Sequence, residues 1–168
     1  VKATKNKKIG VIGTSATINS GSHKNKILEL DSTIQVFTNA CTLFVPFVEE
    51  GWISADDDVV LGMVSKYLEP LKQSGVDTLI LGCTHYPILT EVIKKVMGDG
   101  VTLINPGEAL ALAVKQYLDN SDTATDDSTA CYDFYVSDKT AAFEKTAEML
   151  LGRKIDYNKV KQVDIDKI

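Results

Sequence analysis

Val76-Asp77-Thr78-Leu79-Ile80-Leu81-Gly82 runs without a break into Cys83-Thr84-His85-Tyr86-Pro87-Ile88. The first seven residues are apolar and rich in β-branched side chains, as in a strand buried on both faces of a parallel sheet. Leu89 to Met97 then repeats apolar residues at helical spacing, and Pro87 is tolerated in the first turn of a helix. Strand, loop and helix in that order predict a βα unit with Cys83 at the carboxyl end of the strand. Ligands of open α/β sheets bind at that end. A helix N-terminus there would favour a thiolate, and His85 lies two residues further on. The pattern points to a reactive cysteine.

Outward from this unit, strand and helix signals alternate along the chain. Lys8 to Gly13 reads as a short strand, followed by a turn over Thr14-Ser15-Ala16-Thr17. Ser22 to Leu30 reads as a helix and Thr33 to Phe37 as a strand. Leu43 to Glu50 is apolar, interrupted by Pro46 and closed by Gly51. Asp56-Asp57-Asp58 opens a helix whose apolar face is Val60, Met63, Val64, Tyr67 and Leu68, since carboxylates complement the positive end of its dipole. Pro70 is expected to bend or end that helix and Gly75 to stop it.

Beyond the cysteine loop, Val101 to Ile104 reads as a strand and Gly107 to Leu118 as a helix. Asn120 to Ala130 is polar and reads as a loop. A strand from Cys131 to Val136, a helix from Asp138 to Leu151 capped by Asp138, and a last strand from Val160 to Ile165 complete the series. The fold class is α/β: a three-layer α/β/α architecture with a mainly parallel sheet.

Composition narrows the function. At 168 residues, 44% of them hydrophobic and 24% charged, the chain can bury a real core. A net charge of −5 with scattered lysines argues against nucleic acid as a partner. No apolar run approaches the ~20 residues that span a bilayer, and no signal-peptide pattern opens the chain. Three widely spaced cysteines fit a reducing cytoplasm better than a disulfide framework. The sequence starts at Val1 and its first methionine is Met63, which reads as a fragment of a longer chain.

The remaining chemical signals are weaker. Cys41 and Cys131 read as small buried hydrophobes, the usual state of free cysteine. His23 reads as a solvated surface residue. Zinc held by Cys41, Cys83 and His85 lacks the spacing of a metal site. Gly10-Val11-Ile12-Gly13-Thr14 lacks both the third glycine of a dinucleotide fingerprint and the lysine of a P-loop.

Leu81-Gly82-Cys83-Thr84-His85-Tyr86-Pro87 resembles the second catalytic motif of glutamate racemases, in the aspartate/glutamate racemase superfamily. Lys8 to Thr14 with Thr17, Ile18 and Ser20 is similar to the segment entering that family's second domain. Ala40-Cys41-Thr42-Leu43-Phe44-Val45-Pro46 with Val48-Glu49-Glu50-Gly51 is similar to a further block, and Gly107-Glu108-Ala109 to another. The resemblance implies interconversion of L- and D-glutamate, supplying D-glutamate for bacterial peptidoglycan, with no pyridoxal phosphate and no metal. It implies two cysteines on opposite faces of the substrate α-carbon, of which Cys83 is the second. By the same resemblance His85 assists its proton transfers, Thr84 hydrogen-bonds substrate, Glu49 tunes the pair, and Thr14 and Thr17 contact substrate.

The departures are specific. The family's Cys-Asn-Thr block with the first catalytic cysteine is absent from this sequence, as is its Asp-Ser-Gly segment. Thr42 stands where proline is usual, and Asn105-Pro106 where Asp-Ser is usual. The expectation is therefore a C-terminal portion: residues 1–104 as the inserted second domain and 105–168 as an incomplete return into the first. Its partners would be glutamate and the missing N-terminal half, with a homodimer left open. An aspartate racemase-like enzyme, a non-catalytic glutamate-binding remnant and a cysteine hydrolase using Cys83 and His85 stay open as alternatives.

Overall fold

The computed structural model describes residues 1–121 and 131–164. The chain divides into two compact units, Val1–Asn120 and Ser121–Ile168. The first contains β1 (Lys8–Gly13), α1 (Ser15–Ser20), α2 (Ser22–Leu30), β2 (Gln35–Ala40), α3 (Phe44–Glu49), α4 (Asp58–Gln73), β3 (Thr78–Gly82), α5 (Thr90–Met97), β4 (Thr102–Ile104) and α6 (Pro106–Asn120). Its four strands form one parallel sheet in the order β2-β1-β3-β4.

With that order, right-handed crossovers put α1 and α2 on one face and α4 and α5 on the other. Strand alternation divides the core accordingly. On the first face Ile9 and Val11 of β1 pack with Ile27 and Ile34, and Ile18, Val36 and Ile80 close the cluster. On the second face, Leu79 of β3 and Leu71 of α4 come so close to Gly10 that a β-carbon there would lie 2.9 Å from Leu79 Cδ1 and 3.6 Å from Leu71 Cδ1. α4 buries Val60, Val64, Leu68 and Leu71, and α5 buries Val92, Ile93 and Met97. Both faces of the sheet are covered, which is why β1 and β3 are almost continuously apolar.

Several local expectations are corrected. Thr14 to Thr17 opens a short helix rather than a turn: Thr14 is extended, its hydroxyl accepts the Thr17 N–H, and Gly21 ends α1 at φ 66°. Pro70 lies inside α4 and does not end it, because the helix runs on to Gln73 and Gly75, at φ 71°, turns the chain. β2 begins at Gln35 and extends to Ala40. The helix expected from Leu89 to Met97 is present, and the cysteine loop before it holds a further turn. Tyr86–Leu89 is a 3-10 turn, and α5 begins at Thr90.

The second unit contains β5 (Phe134–Val136), α7 (Ala141–Leu151) and β6 (Val160–Gln162), with β5 and β6 paired in parallel. Thr140, not Asp138, caps α7: its hydroxyl accepts the Phe143 N–H at 3.2 Å. Residues 122–130 of the expected polar loop, and Ile165 of the expected last strand, lie outside the described residues. Among the described residues no helix is long and apolar enough to cross a membrane.

Candidate active site

Strand order reverses direction between β1 and β3, so their carboxyl ends form the switch point of the sheet. Gly13 and Gly82 are register partners there. Gly82 leaves no room for a side chain, and Gly13 leaves little. A β-carbon at Gly82 would lie 2.7 Å from the Ile12 carbonyl oxygen, and one at Gly13 would lie 3.0 Å from Thr17 Cγ2. The paired glycines let both chains turn out of the sheet side by side, bringing Thr14 and Thr17 to the same strand ends as Cys83.

Cys83 is half-buried and its sulfur lies 4.0 Å from Nδ1 of His85. Nε2 of His85 in turn lies 3.4 Å from Oε1 of Glu49, at the end of α3. Thr84 Oγ1 reaches the same Nδ1 at 3.5 Å. The Glu49 side chain is 55% exposed, so the pair adds little to folding. Glu49, His85, Cys83 and Thr84 are thus brought together.

Thr14 and Thr17 are held to each other, with hydroxyl oxygens 3.0 Å apart, and Thr14 is also engaged as the cap of α1. The expected support of Cys83 by an α-helix N-terminus is corrected, because the 3-10 turn intervenes before α5. Cys41 is fully buried, and burial pushes its thiol up to about 12. Cys131 is exposed, not buried as its residue type suggested. Among the described residues no group of three or more histidine, cysteine or acidic side chains is arranged to hold a metal ion.

Two residues at this end of the sheet were not legible as such. His23 is half-buried, and its Cε1 and Nε2 lie 3.6 Å from where a β-carbon at Gly82 would sit. Tyr86 is fully buried and its hydroxyl donates to the Cys41 carbonyl at 2.8 Å. His23 carried no local signal, since its approach to Gly82 depends on the β1–β3 pairing. A tyrosine beside a cysteine–histidine pair was a signal, though one without a partner until Cys41 is placed.

The fold is a parallel α/β sheet with a cysteine, a histidine and a carboxylate gathered at its switch point. More particularly, the chain belongs to the Asp/Glu/Hydantoin racemase family, whose model matches residues 1–114. It is similar to the glutamate racemase of Thermoanaerobacter sp. (strain X514), with 43% identity over 98% of this chain and 61% of that protein. Among solved structures it is similar to glutamate racemase from Francisella tularensis in complex with D-glutamate, at TM-score 0.87 and 33% identity over 96% of this chain and 59% of the other. A glutamate racemase isoform of Bacillus anthracis aligns at TM-score 0.86 and 37% identity, over 98% of this chain and 60% of the other. The chain therefore spans about three-fifths of the length of the curated relatives it matches.

Proposed function

We propose that this chain carries one of two thiols that interconvert L- and D-glutamate by proton transfer. Cys83 acts on one face of the substrate α-carbon. As a thiolate it takes the α-proton from one enantiomer, and as a thiol it gives a proton to the carbanion formed from the other. His85 receives and returns the thiol proton through Nδ1, and Glu49 holds the ring through Nε2. Thr84, Thr14 and Thr17 supply hydroxyls for the substrate's polar groups. The α-proton is far less acidic than a thiol, so the site must stabilise the carbanion electrostatically and exclude water.

The observation that carries this reading is the Glu49–His85–Cys83 chain, with separations of 3.4 Å and 4.0 Å, at the switch point of the sheet. The second thiol is supplied by a segment corresponding to the part of the relatives that this chain does not span. Residues 1–104 then act as an inserted domain, with 105–168 returning to the domain completed by that segment. Leu110 and Leu112 of α6, 65% and 64% exposed, agree with a helix that lacks such a partner. The product serves bacterial peptidoglycan synthesis in the cytoplasm, and the assembled enzyme is free to pair as a homodimer.

The test is D-glutamate formation from L-glutamate followed by circular dichroism. The 168-residue chain alone is expected to show no turnover. Addition of the N-terminal half of a relative restores it, and Cys83→Ser in the reconstituted enzyme abolishes it. Robust turnover by the isolated chain would overturn the two-thiol reading.

A further inference from the structure

We infer that Tyr86 is a positioning residue that sets the geometry between Cys83, His85 and Glu49, an inference that rests on the proton-transfer reading. Its side chain is fully buried, with the ring edge-on to Phe44 at a centroid distance of 5.1 Å. Its hydroxyl donates to the Cys41 carbonyl, which also accepts the Phe44 N–H at 3.1 Å. The Cys41 N–H donates to the Gly13 carbonyl at 2.9 Å. Tyr86 therefore reaches from the loop after β3 to the ends of β1 and β2 and to the first turn of α3.

Both partners of the His85–Glu49 pair are linked through this side chain. Glu49 ends α3, the helix whose first residue is Phe44. His85 is the covalent neighbour of Tyr86, and the Tyr86 N–H closes onto the Cys83 carbonyl at 3.2 Å. That closure defines the turn holding the sulfur near Nδ1. Burial pushes the Tyr86 phenol well above its ordinary value, so the hydroxyl remains a protonated donor. The titratable groups around it are Cys41, Cys83 and Tyr67, with His85 and Glu49 beyond and His23 against Gly82.

Tyr86→Phe removes one oxygen and keeps the ring. The experiment measures the rate of Cys83 alkylation by iodoacetamide against pH in the full chain, resolved by peptide mass spectrometry, beside thermal melts. His85→Gln serves as the reference and is expected to shift the pH midpoint. Tyr86→Phe is expected to shift it in the same direction and to slow alkylation at neutral pH by about fivefold, the equilibrium weight of one net hydrogen bond. Should Tyr86→Phe fail to fold, Phe44→Leu loosens the same link from the α3 side and carries the same expectation. A lower melting temperature with an unchanged pH profile would show a purely structural tyrosine and overturn the inference. A wild-type profile insensitive to His85→Gln would instead overturn the proton-transfer reading, and the inference with it.

Discussion

Cys41 and Cys83 are both free thiols just beyond the carboxyl ends of β2 and β3, the two strands that flank β1, yet their surroundings differ. Cys41 has no exposed surface, its thiol donates to the Asn39 carbonyl at 3.9 Å, and burial raises it to about 12. Cys83 is accessible and has an imidazole within reach. Thiolate is the alkylating species, so reactivity follows the ease of forming it. Brief iodoacetamide treatment at neutral pH is expected to modify Cys83 fastest, with exposed Cys131 slower and Cys41 unmodified until the chain unfolds. Peptide mapping checks the order. Modification of Cys41 ahead of Cys83 would mean that the crevice lies elsewhere.

At the scale of elements, the pairing of β1 with β3 is what creates the crevice, and it depends on close backbone approach at Gly82. Gly82→Ala would press a methyl group against the Ile12 carbonyl, an obstacle with no flexible end to give way. The expected cost is about 1–3 kcal/mol, as for other overpacked cores. Gly62 offers the control. It lies inside α4, where a β-carbon would meet nothing within 4 Å, so Gly62→Ala is expected to stabilise by about 0.5–1 kcal/mol. Urea titrations of the two variants read both signs. The same elements show what periodicity leaves out: apolar spacing located the helix ending at Met97, but not the 3-10 turn from which Tyr86 and Leu89 are buried. Spacing reports which side chains face inward and is blind to the hydrogen-bond pattern that turns them there.

Across the first unit as a whole, one carboxylate ties the beginning of the chain to its central strand. Asp77 accepts Thr4 Oγ1 and the backbone N–H groups of Lys5 and Asn6, each at 2.7 Å, while Asn6 Nδ2 donates to the Gly75 carbonyl. Desolvation opposes ionisation, but these bonds together with Thr78 prevail and hold the carboxyl at about 2. A depressed carboxyl contributes its stability above its unfolded value, near ~3.9, and loses it as pH falls through the folded one. The melting temperature is therefore expected to drop between pH ~4 and ~2, and Asp77→Asn should flatten that limb while melting lower at neutral pH. Melts of both proteins across this range check it. An unchanged acid limb in the variant would place the lost stability at another carboxylate.

The heptapeptide around Cys83, the apolar strands β1 and β3, and the carboxylates opening α4 were readable in the sequence because each is a local pattern of side-chain type and spacing. Whether strands pair in the order β2-β1-β3-β4, and so whether Glu49 reaches His85 or Tyr86 reaches Cys41, is decided by contacts between residues 36 and 45 positions apart. Such contacts leave no mark on local spacing. They arise only when crossovers stack helices on both sheet faces and bring three strand ends together. The sequence by itself determined which thiol has a histidine beside it. Tertiary packing alone decided that this thiol stays accessible while the other is sealed, since burial is a property of what surrounds a residue and not of the residue.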